Sequence, residues 1–241
     1  MKKLLLALVV ITLIVPSCRY GFGKRVSGNG TIHTEEHTVT DFKNVHVSGG
    51  MDVFLTQGDA KPVKIETDEN LMQYIEVVQQ GDDLVIRQKN GYNLDPTNKI
   101  NVYVTSPAYN HIQLSGAGNI VSETKITSTE DMKLDISGAG DIKMDVKAPS
   151  VKVNLSGAGS VSLKGDTKDV DMSLSGAGSA HCFDLLAENS KVRISGVGDA
   201  EVYASISIDA HVSGVGDVRY KGGATQVSQH VSGAGSVKKV D

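Results

Sequence analysis

The chain has 241 residues, with 24 Lys and Arg against 28 Asp and Glu, 26 glycines, two cysteines and no tryptophan. A formal charge of −4 argues against nucleic acid as a partner and against a basic membrane-binding patch. With aromatics at 5%, the stacking platforms that sugar-binding and single-strand-binding sites use are expected to be scarce.

The first element in chain order is a targeting segment over residues 1–17. Lys2 and Lys3 supply a positive start, and Leu4 to Val15 form an apolar stretch too short to span a bilayer comfortably, so a signal peptide is expected. It ends at Val15-Pro16-Ser17-Cys18, which resembles a lipobox, although Pro16 departs from the usual pattern. The resemblance implies that Cys18 is lipidated and becomes the mature N-terminus, where several acyl chains make a durable anchor. Ordinary signal cleavage, with Cys18 incidental, is the alternative. Residues 18–25 then read as a lipidated tether. Without Lys2 and Lys3, 22 basic residues face 28 acidic ones, a formal charge of −6. Cys182 is left as a lone thiol that cannot form an intrachain disulfide, and its place among the inward positions makes it a small core residue.

Residues 26–107 contain strand-like runs with longer connections: Val45–Leu55, Val63–Glu66, Leu84–Arg87 and Ile100–Thr105. One short helix is expected over Asp68–Ile75, with Asp68 as its N-cap. This segment reads as the irregular N-terminal half of one domain over 26–241, because Ser48-Gly49-Gly50 already uses the turn that organises the rest.

Residues 108–241 are regular repeats. Ser-Gly-(Ala/Val)-Gly begins at Ser115, Ser137, Ser156, Ser175, Ser195, Ser213 and Ser232, with spacings of 22, 19, 19, 20, 18 and 19 residues. Each copy is flanked by period-2 alternation, such as Leu134 and Ile136 before a turn and Ile142 and Met144 after it, the mark of strands with one buried face. A rung is therefore read as strand, glycine turn, strand, then a looser turn such as Lys147-Ala148-Pro149-Ser150 or Lys164-Gly165-Asp166. Rungs of about nineteen residues stack into parallel sheets, because one rung cannot bury enough to offset the ordering of its own chain. The glycines answer a need for positive φ or close approach to the next rung. The Ser before each turn and the Asn, Asp or Ser after it are placed to form a hydrogen-bonded ladder. In the last rung Gln229 replaces an apolar residue, which reads as a polar cap over an open edge.

The repeats, together with Thr40-Asp41-Phe42-Lys43-Asn44-Val45-His46-Val47-Ser48-Gly49 followed by Asp52-Val53, resemble the head GIN domain family. Its members are autotransporter-adhesin-like proteins common in Bacteroidetes, and the similarity covers roughly Phe42 to Val237. The resemblance implies an all-β fold, a right-handed, two-sheeted parallel β-helix with glycine turns between the sheets. It also implies likeness to pectin-lyase-type solenoids without their catalytic residues, and a role in adhesion.

Two outward columns deserve a chemical reading. Two residues before each repeat serine stand His46, Gln113, Asp135, Asn154, Ser173, Arg193, His211 and His230; four before stand Asn44, His111, Lys133, Lys152, Asp171, Lys191, Asp209 and Ser228. A polysaccharide lyase or hydrolase needs convergent carboxylates, whereas here signs alternate, with Asp135 beside Lys133 and Lys152, and Asp171 beside Lys152 and Lys191. No catalytic residue is assigned. Asp209, His211 and His230, with Arg193 beside them, form a weak metal or partner cluster that could share a Zn2+, against a plain reading as exposed polar residues. Asp141, Asp199 and Asp217 share Gly-x-Gly-Asp with glycine-rich calcium rolls, but those have a nine-residue period; a backbone-bonding turn ladder is the simpler reading, and neither metal nor cofactor is expected. No helix follows a Gly-Ala-Gly, so no phosphate loop is read.

The functional expectation is a non-catalytic lipoprotein of the cell envelope, held in the outer membrane by Cys18 and facing either the periplasm or the surface. Its faces would engage a protein or glycan partner as an adhesin. The alternatives are a carbohydrate-active enzyme on a β-helix, or a structural or sensing envelope protein.

Overall fold

A computed structural model of the chain describes residues 23–241. The signal segment, Cys18 and the tether up to residue 22 lie outside the described residues. The described chain is all-β, about 70% strand, and winds into a parallel β-solenoid of about six turns. Among the described residues no helix is long and apolar enough to cross a membrane.

The stack follows from the alternation. Leu134, Ile136, Ile142, Met144, Val153, Leu155, Met172 and Leu174 are all buried, while the residues between them face outward. Serines and glycines of successive turns fall into register: Ser48, Ser115, Ser137, Ser156 and Ser175 pair rung by rung, as do Gly49, Gly116, Gly138, Gly157 and Gly176. Cys182 is buried in this core, where burial pushes its thiol up to about 12.

Close approach is what demands glycine. At Gly138 a Cβ would lie 2.3 Å from the carbonyl oxygen of Gly116, on a backbone with φ +134°, and at Gly140 it would lie 2.1 Å from that of Gly118. The two glycines of each turn thus form two columns in which every rung sits against the carbonyl of the one before. The polar ladder is present too. Asp141 Oδ1 accepts from the backbone N–H and hydroxyl of Ser160 (2.8 and 2.7 Å), Asp199 Oδ1 from the N–H of Asp217 (2.8 Å), and Asp217 Oδ1 from the Ser236 hydroxyl (2.7 Å).

The looser turns carry the coil round, and strand pairing persists through them: in Asp141–Gly157 and Ser160–Gly176, Lys147 stands opposite Asp166, Ala148 opposite Thr167 and Ser150 opposite Asp169. Between these two rungs the ladder skips Pro149, which has no N–H to give. Two expectations need correction. Lys24 and Arg25, read with the tether, belong to a strand, Lys24–Ser27, parallel to Tyr92–Asp95. The helix is shorter, Glu69–Met72, and the Asp68 side chain makes no cap bond. Its carboxylate instead accepts from the N–H of Gly30 (2.7 Å) and from the N–H and hydroxyl of Thr97 (2.9 and 2.6 Å), tying two N-terminal loops together.

The N-terminal half does not stack in sequence order. Asn44–Gly49 lies between His111–Gly116 on one side and Asp83–Gln88 on the other, and Met51–Gln57 lies between Asn119–Thr127 and Ile100–Ser106. The end of the coil is closed by antiparallel strands, Ile75–Gln80 on Asp83–Gln88, and Val63–Asp68 on Ile100–Ser106 with Ile32–His37 beyond it. At the other end Gln226–Val231 is exposed throughout, Val227 at 46% and Val231 at 39%, so Gln229 does not cover the apolar residues beside it.

Candidate functional site

The two outward columns exist as straight files along one face. Register places His46, Gln113, Asp135, Asn154, Ser173, Arg193, His211 and His230 on successive rungs. The second file, Asn44, His111, Lys133, Lys152, Asp171, Lys191, Asp209 and Ser228, runs beside it.

The N-terminal part of this face holds two hydrogen-bonded clusters that meet at a pair of histidine rings. His46 Nδ1 lies 2.9 Å from Gln113 Oε1 and Nε2 lies 3.0 Å from Asp83 Oδ1, while its ring meets that of His111 edge to face at 5.1 Å. His111 Nε2 is 2.7 Å from Asp135 Oδ2, and Asn154 donates to Asp135 Oδ1 at 2.7 Å, with Lys133 on the same carboxylate. Hydrogen bonds from His46 and Asn44 hold Asp83 below the usual carboxylate range. Burial would raise Asp135, but the bonds from Lys133, Asn154 and His111 outweigh it and hold that carboxyl low as well. Asp83 is missing from the sequence-derived columns because its strand lies outside the Ser-Gly-x-Gly series.

Further along, Arg193 donates to Asp171 at 2.7 Å, so the partner of Asp171 is Arg193, not Lys152 or Lys191. Asp209, His211 and His230 come together as adjacent residues: His211 Nε2 is 3.0 Å from Asp209 Oδ1, and the two imidazoles stand 5.9 Å apart. Lys191 also faces Asp209, at 3.9 Å. Among the described residues no group of three or more His, Cys, Asp or Glu is arranged to hold a metal ion. Chemically, much of the face is a wall of donors and acceptors bonded to one another.

The opposite face carries residues that composition alone obscured. Phe54 and Tyr103, outward between Val53 and Leu55 and between Val102 and Val104, stack at 5.2 Å with planes 20° apart. Lys64 lies over the Tyr103 ring, 4.2 Å from its centroid. Their outward parity, among the polar residues Asp52, Thr56, Asn101 and Thr105, was the signal for them.

A coil of this kind, with its rungs in parallel register, defines the class as a parallel β-solenoid. Residues 41–224 match the family described as a putative auto-transporter adhesin, head GIN domain, and the chain belongs to that family. Among solved structures, a putative adhesin from Bacteroides fragilis NCTC 9343 is similar at 25% identity and a TM-score of 0.83, over 89% of this chain and 100% of that one. A putative adhesin from Parabacteroides distasonis ATCC 8503 is similar at 28% identity and a TM-score of 0.71, over 90% and 100%. A putative lipid binding protein from the same organism shares the fold at 24% identity, with a TM-score of 0.75 over 90% and 100%. No curated protein matches the chain.

Proposed function

We propose that this chain is a non-catalytic adhesion module of the cell envelope, anchored through a lipid on Cys18 in the outer membrane, which binds a protein or glycan partner through its solenoid faces. The observation that carries this reading is the face just described. Its charged groups are spread over many rungs and matched by neighbours, as in Lys133–Asp135 and Arg193–Asp171. Such a surface suits broad, complementary docking, where matched charges set register and specificity. Catalysis by paired carboxylates would need two such groups converging on one bond. Family membership and the adhesin neighbours support the same role.

The test has two parts. Metabolic labelling with a fatty-acid analogue should mark the full-length chain and be lost in Cys18→Ser; equal labelling of the variant would remove the anchor from the account. Incubating the soluble chain with a panel of polysaccharides should release no new reducing ends, and sustained release would replace the adhesin reading with an enzyme.

A further inference from the structure

The second face is not uniformly flat. Its parallel ladders change register at two places. Between Val121 and Lys125 the chain spends four steps where the facing strand, from Lys143 to Asp145, spends two. Between His181 and Asp184 it spends three against the two from Ser162 to Lys164. Extra residues on one strand bend it and turn its side chains aside. Both interruptions were already present in the repeat spacing: the rungs that begin at Ser115 and Ser175 are the long ones, at 22 and 20 residues against 18 or 19 elsewhere. Between them lies a cleft of about 380 Å³.

The lining alternates in charge. Register sets Lys125, Asp145, Lys164 and Asp184 on consecutive rungs of one file, a cation then a carboxylate each time, at the roughly 4.8 Å step of a sheet. Lys143, Glu123, Ser162 and His181 also line the cleft. Asp145 is unusual among these: Oδ2 lies 3.5 Å from Lys164 Nζ, whereas Oδ1 is buried and has no hydrogen-bond partner among the described residues. An acceptor left without a donor carries a desolvation cost.

Aromatic rings stand at both ends. Val121 lines the cleft and pairs with Phe54, which stacks on Tyr103. At the far side Phe183 sits inside the second register shift, with Lys221 5.1 Å from its ring centroid. Apolar patches bracketing closely spaced donors and acceptors match an oligosaccharide. Each sugar presents C–H faces to rings and hydroxyls that both donate and accept.

We propose that this cleft is an oligosaccharide-binding site, with Asp145, Asp184 and the lysines of the file bonding the hydroxyls, and Phe54 and Phe183 flanking the chain. The site lies on the opposite face from the histidine files and does not require them.

The test is a glycan array probed with the soluble chain from residue 19, followed by calorimetric titration of the hits. Asp145→Asn combined with Lys143→Ala should weaken binding at least tenfold with an unchanged circular dichroism spectrum, and Phe54→Ala should weaken it as well. Glu36→Ala, exposed on the antiparallel strand at the end of the coil and outside both the cleft and the histidine files, should bind as the parent does. Binding that ignores the cleft substitutions would overturn the assignment, as would a peptide ligand competing for the cleft in place of sugars. No glycan binding by a chain that still adheres to cells would overturn it and leave the adhesin reading standing; loss of both activities would remove both.

Discussion

The glycine columns make a claim that four alanine substitutions can separate. Gly138→Ala meets both constraints at once, since its Cβ would lie 2.3 Å from Gly116 O and its φ is +134°. Ordinary contact begins near 3.4 Å, so the rung must shift by about 1 Å, enough to weaken the bond from the Ala139 N–H to the same oxygen, 2.9 Å long. A left-handed, extended φ costs a non-glycine residue about 2 kcal/mol, and one ladder bond about 1 kcal/mol. The stiffer unfolded chain returns at most about 1 kcal/mol, leaving a net loss of about 2–3 kcal/mol. Gly140→Ala tests approach without positive φ (2.1 Å from Gly118 O) and should cost about 1–2 kcal/mol. Gly81→Ala tests φ alone, at +60° in open space, and should cost about 1 kcal/mol. Gly50→Ala meets neither constraint and should stay within about 0.5 kcal/mol of the parent. Urea unfolding followed by circular dichroism reads the series; at a slope of about 2 kcal/mol per molar, Gly138→Ala should lower the midpoint by about 1 M. Equal midpoints for Gly138→Ala, Gly140→Ala and Gly50→Ala would refute the close-approach argument.

Other consequences are as direct. Asp68→Ala strands the N–H of Gly30 and the N–H and hydroxyl of Thr97, and should cost about 3 kcal/mol in the same unfolding assay; a change below about 0.5 kcal/mol would show that those bonds are idle. Asp135 is held below its ordinary value of 3.8, so its contribution is complete above that pH and is lost as pH falls through the lower folded value. Acid unfolding should therefore begin below about pH 4, and Asp135→Asn should flatten that part of the curve; an unaltered acid limb would contradict the assignment. With its thiol pushed up to about 12 and buried, Cys182 should resist an aromatic disulfide reagent in the native chain beginning at residue 19, and react fully in urea; fast native labelling would place it outside the core.

The regular half could be read almost directly, because a strict period leaves one stacking solution. Leu134 and Ile136, or Val153 and Leu155, alternate cleanly, and the serine spacing aligns them. Files such as Lys191–Asp209 and Arg193–His211 then follow from counting alone. What counting could not show is that the chain returns beside itself. Asp83–Gln88 stacks outside Asn44–Gly49 although it comes later in sequence, and this non-local choice brings Asp83 to His46. Asp68 shows a different limit. A carboxylate before a short helix fits a cap, yet the folded loops offer it three better donors from distant residues. The cleft was half visible: the long 22- and 20-residue spacings mark the interrupted rungs, but only the fold shows that they flank one cavity.

Adhesion itself is tested most directly by titrating the fluorescently labelled soluble chain onto whole cells and extracellular-matrix surfaces. A variant carrying His46→Ala, Asp135→Ala, Arg193→Ala and His211→Ala should be run beside it. The account predicts saturable binding by the parent and at least tenfold weaker binding by a variant that keeps its circular dichroism spectrum. Parent binding no greater than that of the urea-unfolded chain would contradict the account.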